Sequence, residues 1–175
     1  MPALQQTLVL LKPDAVQRLI AGEVIVRFEK AGLKIVAMKM TAPDEKHFHE
    51  HYEGISQLIT RWGKDIYDIT LSHMTEAPVI AIVLEGIEAV AHVRKMVGTL
   101  DPMESAPGTI RGDFTHLSRA YTNERGSTLP NIIHASGNVE EAKQEVDLWF
   151  KPEEVFSYAS VHDEVLRGRV PKKAA

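Results

Sequence analysis

Residues 131–137 combine one histidine with small neighbours, and this combination could support covalent chemistry at the imidazole. His134 is followed by Ala135 and Ser136, so a second molecule could approach the ring, and a hydroxyl lies within hydrogen-bonding reach. A neutral imidazole, with a usual pKa of about 6.5, is a nucleophile near pH 7. A single histidine is more often structural than catalytic, so a nucleophile here needs a partner that orients the ring.

A carboxylate that could orient this ring lies a short way downstream. Ala142, Val146 and Trp149 recur at helical spacing and predict the buried stripe of a helix, and Glu145 falls within or beside that stripe. A buried carboxylate must be paired or hydrogen-bonded. A neighbouring lysine or arginine would satisfy this need, and His134 is the more specific candidate.

Arg94 is a third polar residue at a position where a core residue is expected. It follows Val90 and precedes Val97 on one face of a predicted helix. A guanidinium at such a position either extends to solvent or binds an anion. We therefore keep two interpretations of Arg94, an arginine that snorkels at a helix end and a phosphate clamp.

Three histidines alternate at positions 47, 49 and 51. On the helix predicted there, only His47 and His51 share a face, so these two could bind zinc. No zincin motif that supplies a glutamate accompanies them. A solvated helix face is the favoured interpretation, and we predict no protein-bound metal.

Hydrophobic periodicity predicts the elements that must position these residues. Strands are predicted over 7–11, 33–41, 79–84 and 131–134, with helices over 16–31, 43–52, 87–97 and from 138 onward. The strand over 33–41 carries apolar residues on both faces, so we expect both faces to be covered, and 101–113 is expected to be loop. The order β-α-β-α-β-α-β-α indicates an α+β fold, a ferredoxin-like split βαβ sandwich in which helices flank a four-stranded antiparallel sheet.

Length and composition place the chain among ordinary globular proteins. The 175 residues suit one domain, which we predict over 1–165, with a loose basic tail over 166–175. A net charge of −4 disfavours a nucleic-acid coat, because that function needs clustered positive charge. The absence of cysteine excludes disulfides and thiolate chemistry. No signal peptide and no apolar run of membrane-spanning length are evident, so we expect a cytoplasmic location and no membrane partner.

Several segments together match a known enzyme family. In chain order they are Lys12-Pro13-Asp14, Tyr52, Arg94, PGTIRGDF over 107–114, NIIHAS over 131–136 and LWFKPEE over 148–154. From about residue 5 to residue 163, the sequence closely resembles the nucleoside diphosphate kinases. The resemblance implies ping-pong transfer of the γ-phosphoryl group from a nucleoside triphosphate to a nucleoside diphosphate through phosphohistidine. It also implies Mg²⁺ on the nucleotide phosphates and a homo-oligomer, either a hexamer or a tetramer.

The resemblance implies roles for individual residues as well. His134 would accept the phosphoryl group. Glu145 would orient the ring of His134, and Ser136 would support the glutamate. The contacts to nucleotide phosphates and ribose would fall on Lys12, Tyr52, Arg94, Arg111 and Asn131. Subunit contacts would involve the C-terminal aromatic residues Phe156 and Tyr158, together with Trp149 and Phe150. Three cations from separate segments suit a polyphosphate, and no GxxxxGK[ST] run offers a P-loop instead.

The sequence also departs from the family pattern. Leu100 stands where the family has a phosphate-binding threonine, and Gly137 stands where it has an aspartate that forms an ion pair. Residues 53–77 and 115–130 are longer than expected, and these regions usually contact the base. Candidates for the base contact are Trp62, Ile66 and Tyr67. Two further candidate nucleotide-binding positions are Ile66, for the base, and Leu100, at the threonine position.

Two alternative functions remain open at this point. Leu100 and Gly137 would fit a weak or inactive relative that binds nucleotide as a regulator or scaffold. A ferredoxin-like ligand sensor without chemistry would not need Lys12, Arg94 and Arg111 together with a histidine. An active kinase is therefore the leading hypothesis.

Overall fold

The computed structural model describes residues 3–161 and residue 163, so the predicted tail over 166–175 lies outside the described residues. Its centre is a four-stranded antiparallel sheet in the order β2-β3-β1-β4. The strands are β1 (Leu4–Leu11), β2 (Lys34–Thr41), β3 (Val79–Ile87) and β4 (Ile133–Ala135). The first and third strands are central, which confirms the predicted ferredoxin-like sandwich.

Nine α-helices flank the sheet within the described part of the chain. They are α1 (Pro13–Gln17), α2 (Ala21–Lys30), α3 (Glu45–His49), α4 (Leu58–Trp62), α5 (Lys64–Thr75), α6 (Ala89–Val97), α7 (Ile110–Phe114), α8 (Arg119–Glu124) and α9 (Val139–Trp149). A π-helical turn, Glu50–Ile55, continues α3, and short 3₁₀ turns occur at Pro102–Glu104 and Pro152–Glu154. None of the described helices is long and apolar enough to cross a bilayer.

The sheet separates two hydrophobic cores. Successive side chains of a strand point to opposite faces, so Leu8 and Leu10 enter one core while Val9 and Leu11 enter the other. The first core also contains side chains of α3, α5 and α9, and the second contains side chains of α2, α6 and α7. Because β1 is buried on both faces, it is a fixed support for the residues that pair with it.

Three sequence-based expectations about these elements are wrong. The helix predicted over 16–31 is two helices, because Leu19 has φ +59°, a left-handed conformation that ends α1. Strand β2 is not covered on both faces, since it is an edge strand and leaves Met38 and Met40 55% and 59% exposed. The loop expected over 101–113 contains a 3₁₀ turn and the start of α7, whose N-terminus is capped by the Thr109 hydroxyl.

The two long segments form helices that meet at the surface. Residues 53–77 contain α4 and α5, and 115–130 contain α8. The guanidinium of Arg119 lies over the ring of Trp62, 5.0 Å from its centroid. The backbone N–H of Arg119 donates to Asp101 Oδ2 at 2.9 Å, so the start of α8 is fixed next to the segment that contains Leu100.

Candidate active site

Strand β4 places His134 beside the buried central strand. His134 is paired with Leu10 in the β1–β4 ladder, and the next polar residue, Ser136, donates its backbone N–H to Leu8 O at 3.2 Å. The side chain of His134 is 18% exposed, so one edge of its ring is open to an incoming molecule. The ring is therefore supported by the core and still accessible.

Helix α9 brings a carboxylate to this ring. The side chains of Ala142, Glu145, Val146 and Trp149 form its buried face, and Asn138 caps its N-terminus by accepting the N–H of Glu141, as the sequence predicted. Glu145 is fully buried. A core-facing position on a capped helix thus delivers a carboxylate instead of an apolar group.

Both oxygens of Glu145 are engaged. Oε1 lies 2.9 Å from His134 Nε2, and Oε2 accepts from Ser136 Oγ at 2.6 Å. Ser136 Oγ also accepts from the backbone N–H of Leu8 at 3.1 Å, so the glutamate is connected to β1. Ser136 acts through Glu145 and has no direct hydrogen bond to His134 among the described contacts.

The charge of Glu145 fixes the tautomer of His134. Burial alone would raise the pKa of Glu145, but His134, His51 and the Ser136 hydroxyl together lower it to about 2. A carboxylate accepts hydrogen bonds and cannot donate them, so the neutral imidazole must carry its proton on Nε2. The lone pair of His134 is consequently on Nδ1.

The structure corrects the interpretation of the three alternating histidines. His51 is not on a solvated face: it is fully buried, and its ring centroid lies 4.6 Å from that of His134. His51 lies in the π-helical turn that continues α3, and it follows the buried Phe48 at i+3, so it shares the core-facing side of this segment. The helical spacing from Phe48 was the available signal in the sequence.

Tyr52 enters the site from the same turn. It is 6% exposed, its ring centroid lies 6.5 Å from that of His134, and its hydroxyl has no hydrogen-bond partner among the described residues. Burial, with the charges of Glu145 and Asp14, raises the pKa of Tyr52, so the hydroxyl stays protonated. A buried donor without a partner is costly, and a ligand oxygen would satisfy it.

Lys12 and Asn131 form a hydrogen-bonded pair next to the start of β4. Lys12 Nζ donates to Asn131 Oδ1 at 2.7 Å, and Asn131 Nδ2 donates to Leu100 O at 3.2 Å. Burial and the nearby Arg111 lower the pKa of Lys12 from 10.5 to about 8, although Asp14 opposes the change. The ammonium is charged at neutral pH, but it is held in a place where positive charge is unfavourable without an anion.

Arg111 is almost completely enclosed by backbone carbonyls. It is 8% exposed and donates to four carbonyl oxygens, those of Asn131 (3.2 Å), Thr99 (2.9 Å), Ile133 (2.6 Å) and Gly98 (3.5 Å). Burial and then Arg94 lower the pKa of Arg111 to about 10. This arginine therefore connects the backbone before His134 to the end of α6 and also adds positive charge.

Arg94 does not lie with the apolar face of α6, contrary to the pattern. It is exposed and has no hydrogen bond or ion pair within residues 3–161 and 163. It is close enough to Arg111 to lower the pKa of that guanidinium. Arg94, Arg111 and Lys12 thus form one positive cluster, and Arg111 donates to the carbonyl of Ile133, the residue before His134.

Asp14, to which the sequence assigned no role of its own, holds the backbone just before His134. Ile132 has φ +55°, which is strained for a β-branched residue, and its N–H donates to Asp14 Oδ2 at 3.0 Å. Its carbonyl accepts the N–H of Lys12 at 2.9 Å. The Lys12-Pro13-Asp14 segment therefore fixes the conformation that presents Asn131. The acidic residue of that motif was the signal in the sequence that could have indicated this role.

The two departures from the family pattern have visible consequences. A side chain at Gly137 would collide with the carboxylate of Glu141, which forms a 3.2 Å ion pair with Arg61 of α4. The hydroxyl of Thr99 donates to Asp101 O at 2.9 Å and contacts Ser105, so it is not free to replace a threonine at Leu100. Leu100 itself is 46% exposed at the edge of the site.

The candidates for a base contact differ in accessibility. Tyr67 is 7% exposed and its hydroxyl is hydrogen-bonded to His49 Nδ1 at 2.8 Å. Ile66 and Trp62 are 40% and 53% exposed, and one face of Trp62 is covered by Arg119. Ile66 offers the less obstructed apolar surface.

Of the two histidines considered as metal ligands from the sequence, only His51 belongs to a group that could hold a metal. Within the described chain, one group of three ligand-type residues occurs, His51, His134 and Glu145, whose ligand atoms lie within 4.8 Å of one another. Mg²⁺ prefers six oxygen ligands, so two imidazoles and one carboxylate do not form a magnesium site.

A ferredoxin-like sandwich that places a histidine with a free lone pair beside clustered cations is typical of a phosphotransferase. Comparison with known proteins identifies the class: the family model "Nucleoside diphosphate kinase" matches residues 5–155. A nucleoside diphosphate kinase of Pyrococcus furiosus is 45% identical over 163 residues, which are 93% of each chain. That of Borreliella burgdorferi is 41% identical over 155 residues, covering 89% of this chain and 92% of the relative.

Solved structures agree with these relatives. A transition-state mimic of the nucleoside-diphosphate kinase from Borrelia burgdorferi, with bound vanadate and ADP, has a TM-score of 0.89 at 39% identity, covering 93% of this chain and 96% of that chain. An NDP kinase from Pyrobaculum aerophilum has a TM-score of 0.80 at 35% identity, covering 89% and 100%. The chain therefore belongs to the nucleoside diphosphate kinase family. It is an enzyme that transfers the γ-phosphoryl group of a nucleoside triphosphate to a nucleoside diphosphate.

Proposed function

We propose that the transfer proceeds in two steps through a phosphohistidine at His134, in a ping-pong mechanism. The observation that carries this proposal is the 2.9 Å contact between His134 Nε2 and Glu145, because an ionised carboxylate at Nε2 leaves the lone pair on Nδ1. Ser136 supports Glu145 from the other oxygen at 2.6 Å. These two contacts support His134 as nucleophile, Glu145 as orienting residue and Ser136 as supporting residue.

Both steps balance without a further reactant. In the first, the Nδ1 lone pair forms a bond to the γ-phosphorus while the bond to the bridging oxygen breaks, and its electrons leave with the nucleoside diphosphate. His134 keeps its Nε2 proton, so the ring gains positive charge, which the carboxylate of Glu145 stabilises. In the second, a terminal phosphate oxygen of another nucleoside diphosphate attacks the phosphorus, and the electrons of the N–P bond return to Nδ1.

The positive cluster would hold the polyphosphate. Lys12, Arg94 and Arg111 bring three cations to one side of His134, and phosphoryl transfer depends mainly on positioning and on stabilising negative charge. Tyr52 would donate its unpartnered hydroxyl to a phosphate oxygen, and Asn131 would offer its amide to phosphate or ribose. Ile66 would contact the base, and Leu100 would line the phosphate side without a hydroxyl.

Mg²⁺ would arrive as part of the substrate, bound to the nucleotide phosphates. Nucleotide phosphates supply the oxygen ligands that Mg²⁺ favours, and the ion would neutralise charge on the transferred group. This chain would contribute cations around the complex and no dedicated magnesium cage.

Incubation with γ-labelled ATP in the absence of an acceptor tests the mechanism. The wild type should take up label that is acid-labile and alkali-stable, as expected for a phosphoramidate, and should release it to added nucleoside diphosphate. His134→Ala should abolish labelling and transfer while nucleotide binding remains. Label at another residue in His134→Ala would contradict the mechanism, and a wild type that binds nucleotide without labelling would favour a regulatory or scaffold role.

Assembly and location stay predictions from the sequence. A homo-oligomer, hexamer or tetramer, is supported by exposed apolar side chains on β2 and after α9, among them Met38, Met40, Phe156 and Tyr158. Trp149 and Phe150 are 3% and 4% exposed within the chain, so they do not contribute to such an interface. A single domain over 1–165 and a cytoplasmic location are likewise predictions.

A further inference from the structure

His51 is a buried imidazole next to the nucleophile, and the mechanism above assigns it no part. Its ring is fully buried and meets the His134 ring edge to face, at a centroid distance of 4.6 Å and an interplanar angle of 79°. It also packs against Tyr52, with a centroid distance of 4.7 Å. A polar ring in such a place needs a defined protonation state.

A hydrogen bond from Trp149 defines that state. Trp149 Nε1 donates to His51 Nδ1 at 3.2 Å. An indole N–H can only donate, so His51 Nδ1 must be unprotonated and the neutral ring must carry its proton on Nε2. His51 Nε2 has no hydrogen-bond partner in the described part of the chain, so the contact with Trp149 is the hydrogen bond that sets this tautomer.

The same tautomer protects the contact between Glu145 and His134. His51 Nδ1 lies 3.8 Å from Glu145 Oε1, the oxygen that lies 2.9 Å from His134 Nε2. If His51 carried a proton on Nδ1, a small shift would let it donate to Glu145 and compete with His134. Trp149 and Glu145 are four residues apart on the buried face of α9, so one helix supplies both groups.

The charges around His51 also favour its neutral form. Burial, followed by His134, lowers the pKa of His51 to about 3; His47 and Lys12 act in the same direction, and Glu145 opposes them. A neutral ring does not repel the positive charge that His134 gains on phosphorylation. Charged His51 would both repel that charge and attract Glu145.

We propose that His51 is a positioning residue for the phosphoryl-accepting histidine. Trp149 holds the His51 proton on Nε2, so the neutral ring supports the face of His134 and leaves Glu145 Oε1 to His134 alone. The proposal rests on the two-step mechanism above and adds a second layer, Trp149–His51, to the Glu145–Ser136 pair.

Single-turnover phosphorylation of His134 by ATP tests it with four variants. Trp149→Phe removes the donor and frees His51 Nδ1, and His51→Phe keeps a ring but removes the acceptor. Both should phosphorylate roughly 10- to 100-fold more slowly, the range expected when a residue that orients a reacting group is lost, while nucleotide affinity changes little. His51→Asn places a carbonyl oxygen near the position of Nδ1 and should recover part of the rate. His92→Gln removes an exposed histidine of α6 and is the matched control.

The pH profile separates positioning from simple packing. In Trp149→Phe, protonation of His51 becomes easier, so its phosphorylation rate should begin to fall at a higher pH than that of the wild type as the solution is acidified. Imidazole ¹⁵N spectra of the wild type should show His51 protonated at Nε2 and unprotonated at Nδ1. A proton on Nδ1 would overturn the proposal even if the enzyme takes no label.

The kinetic outcomes distinguish the two proposals. A labelled wild type together with unchanged rates in Trp149→Phe and His51→Phe would overturn the role of His51 alone. An unlabelled wild type would overturn the two-step mechanism on which that role rests. Trp149→Phe and His51→Phe could also lower the rate while the acid limb of Trp149→Phe does not shift and His51→Asn recovers nothing. That result would mean that His51 contributes only packing, and it would contradict the proposal as well.

Discussion

The carboxylate of Asp14 accepts the backbone N–H of Ile132 at 3.0 Å, across 118 residues of sequence. Ile132 has φ +55° and lies two residues before His134, so this bond holds a strained backbone where the proposed nucleophile is presented. The strained conformation persists because the carboxylate of Asp14 accepts the N–H of Ile132 and the N–H of Lys12 donates to the carbonyl of Ile132.

Asp14→Ala should therefore weaken the fold. It leaves the buried N–H of Ile132 without an acceptor, which costs about 1–3 kcal/mol of unfolding free energy. Asp14→Asn keeps an acceptor oxygen and should lose less. Urea unfolding at pH 7 measures both variants. Equal stability of Asp14→Ala and the wild type would show that Ile132 does not depend on this bond.

The charge of Asp14 adds a dependence on pH. Burial acts to raise the pKa of Asp14, but contact with His73 and Lys12 lowers it below 3.8. The ionised group thus stabilises the fold above the usual carboxyl pKa, and this contribution is lost as pH falls through the folded pKa. The stability difference between wild type and Asp14→Asn should narrow below about pH 4.

Glu145→Gln should slow the phosphorylation of His134 without abolishing it. The amide keeps the shape of the side chain but removes the charge, and its NH₂ group can donate to His134 Nε2 and favour the tautomer without a lone pair on Nδ1. A loss on the order of 10²- to 10⁴-fold is expected, as for other orienting carboxylates. Single-turnover labelling measures it. Glu140→Gln, an exposed change on the same helix, is the control and should keep the wild-type rate.

Arg94→Ala and Arg111→Ala should differ in their effect on the fold. Arg94 is exposed and makes no described hydrogen bond, so its loss should lower kcat/KM roughly 10- to 100-fold and change stability by less than about 0.5 kcal/mol. Arg111→Ala leaves four carbonyl oxygens without their donor and should lower both activity and stability. Arg111→Lys should recover part of each, because lysine lacks the planar fork. Kinetics and urea unfolding together check this, and a stable Arg111→Ala would refute the structural half.

The pKa of Lys12, about 8, predicts an alkaline limb in the pH profile. As pH rises above this value the free enzyme loses the ammonium charge, so attraction of phosphate weakens and kcat/KM falls. Lys12→Arg keeps its charge and should show a lower plateau without that fall up to about pH 10. The same alkaline limb in Lys12→Arg would assign it to another group.

Exposed methionines on β2 predict self-association. Met38 and Met40 are exposed on an edge strand, and Met38 lines a surface cavity together with Phe156. Such apolar edges are usually covered. Light scattering at micromolar concentration should give an oligomeric mass. Met40→Glu should lower that mass. Met103 is 67% exposed but lies away from β2, so the control variant Met103→Glu should keep the wild-type mass. A monomeric wild type would remove the prediction.

Local patterns in the sequence determined the fold and much of the candidate site. The apolar run of β1 and the helical stripe of α9 depend on neighbouring residues, so they are visible without a structure. Glu145 stands out in the sequence because a carboxylate interrupts that stripe, and His134 stands out because small residues follow it. The helix N-cap at Asn138 follows from the same short-range rules.

Only the tertiary structure decided which distant groups meet. Lys12 reaches Asn131 across 119 residues, and Trp149 reaches His51 across 98. Pairing of β1 with β4 sets the first contact, and the packing of α9 against the π-helical turn that contains His51 sets the second. Hydrophobic periodicity carries no information on strand register or on which helices pack together, because both are fixed by contacts between distant elements. The neutral state of His51 and the strained backbone at Ile132 therefore emerge only when the chain is folded.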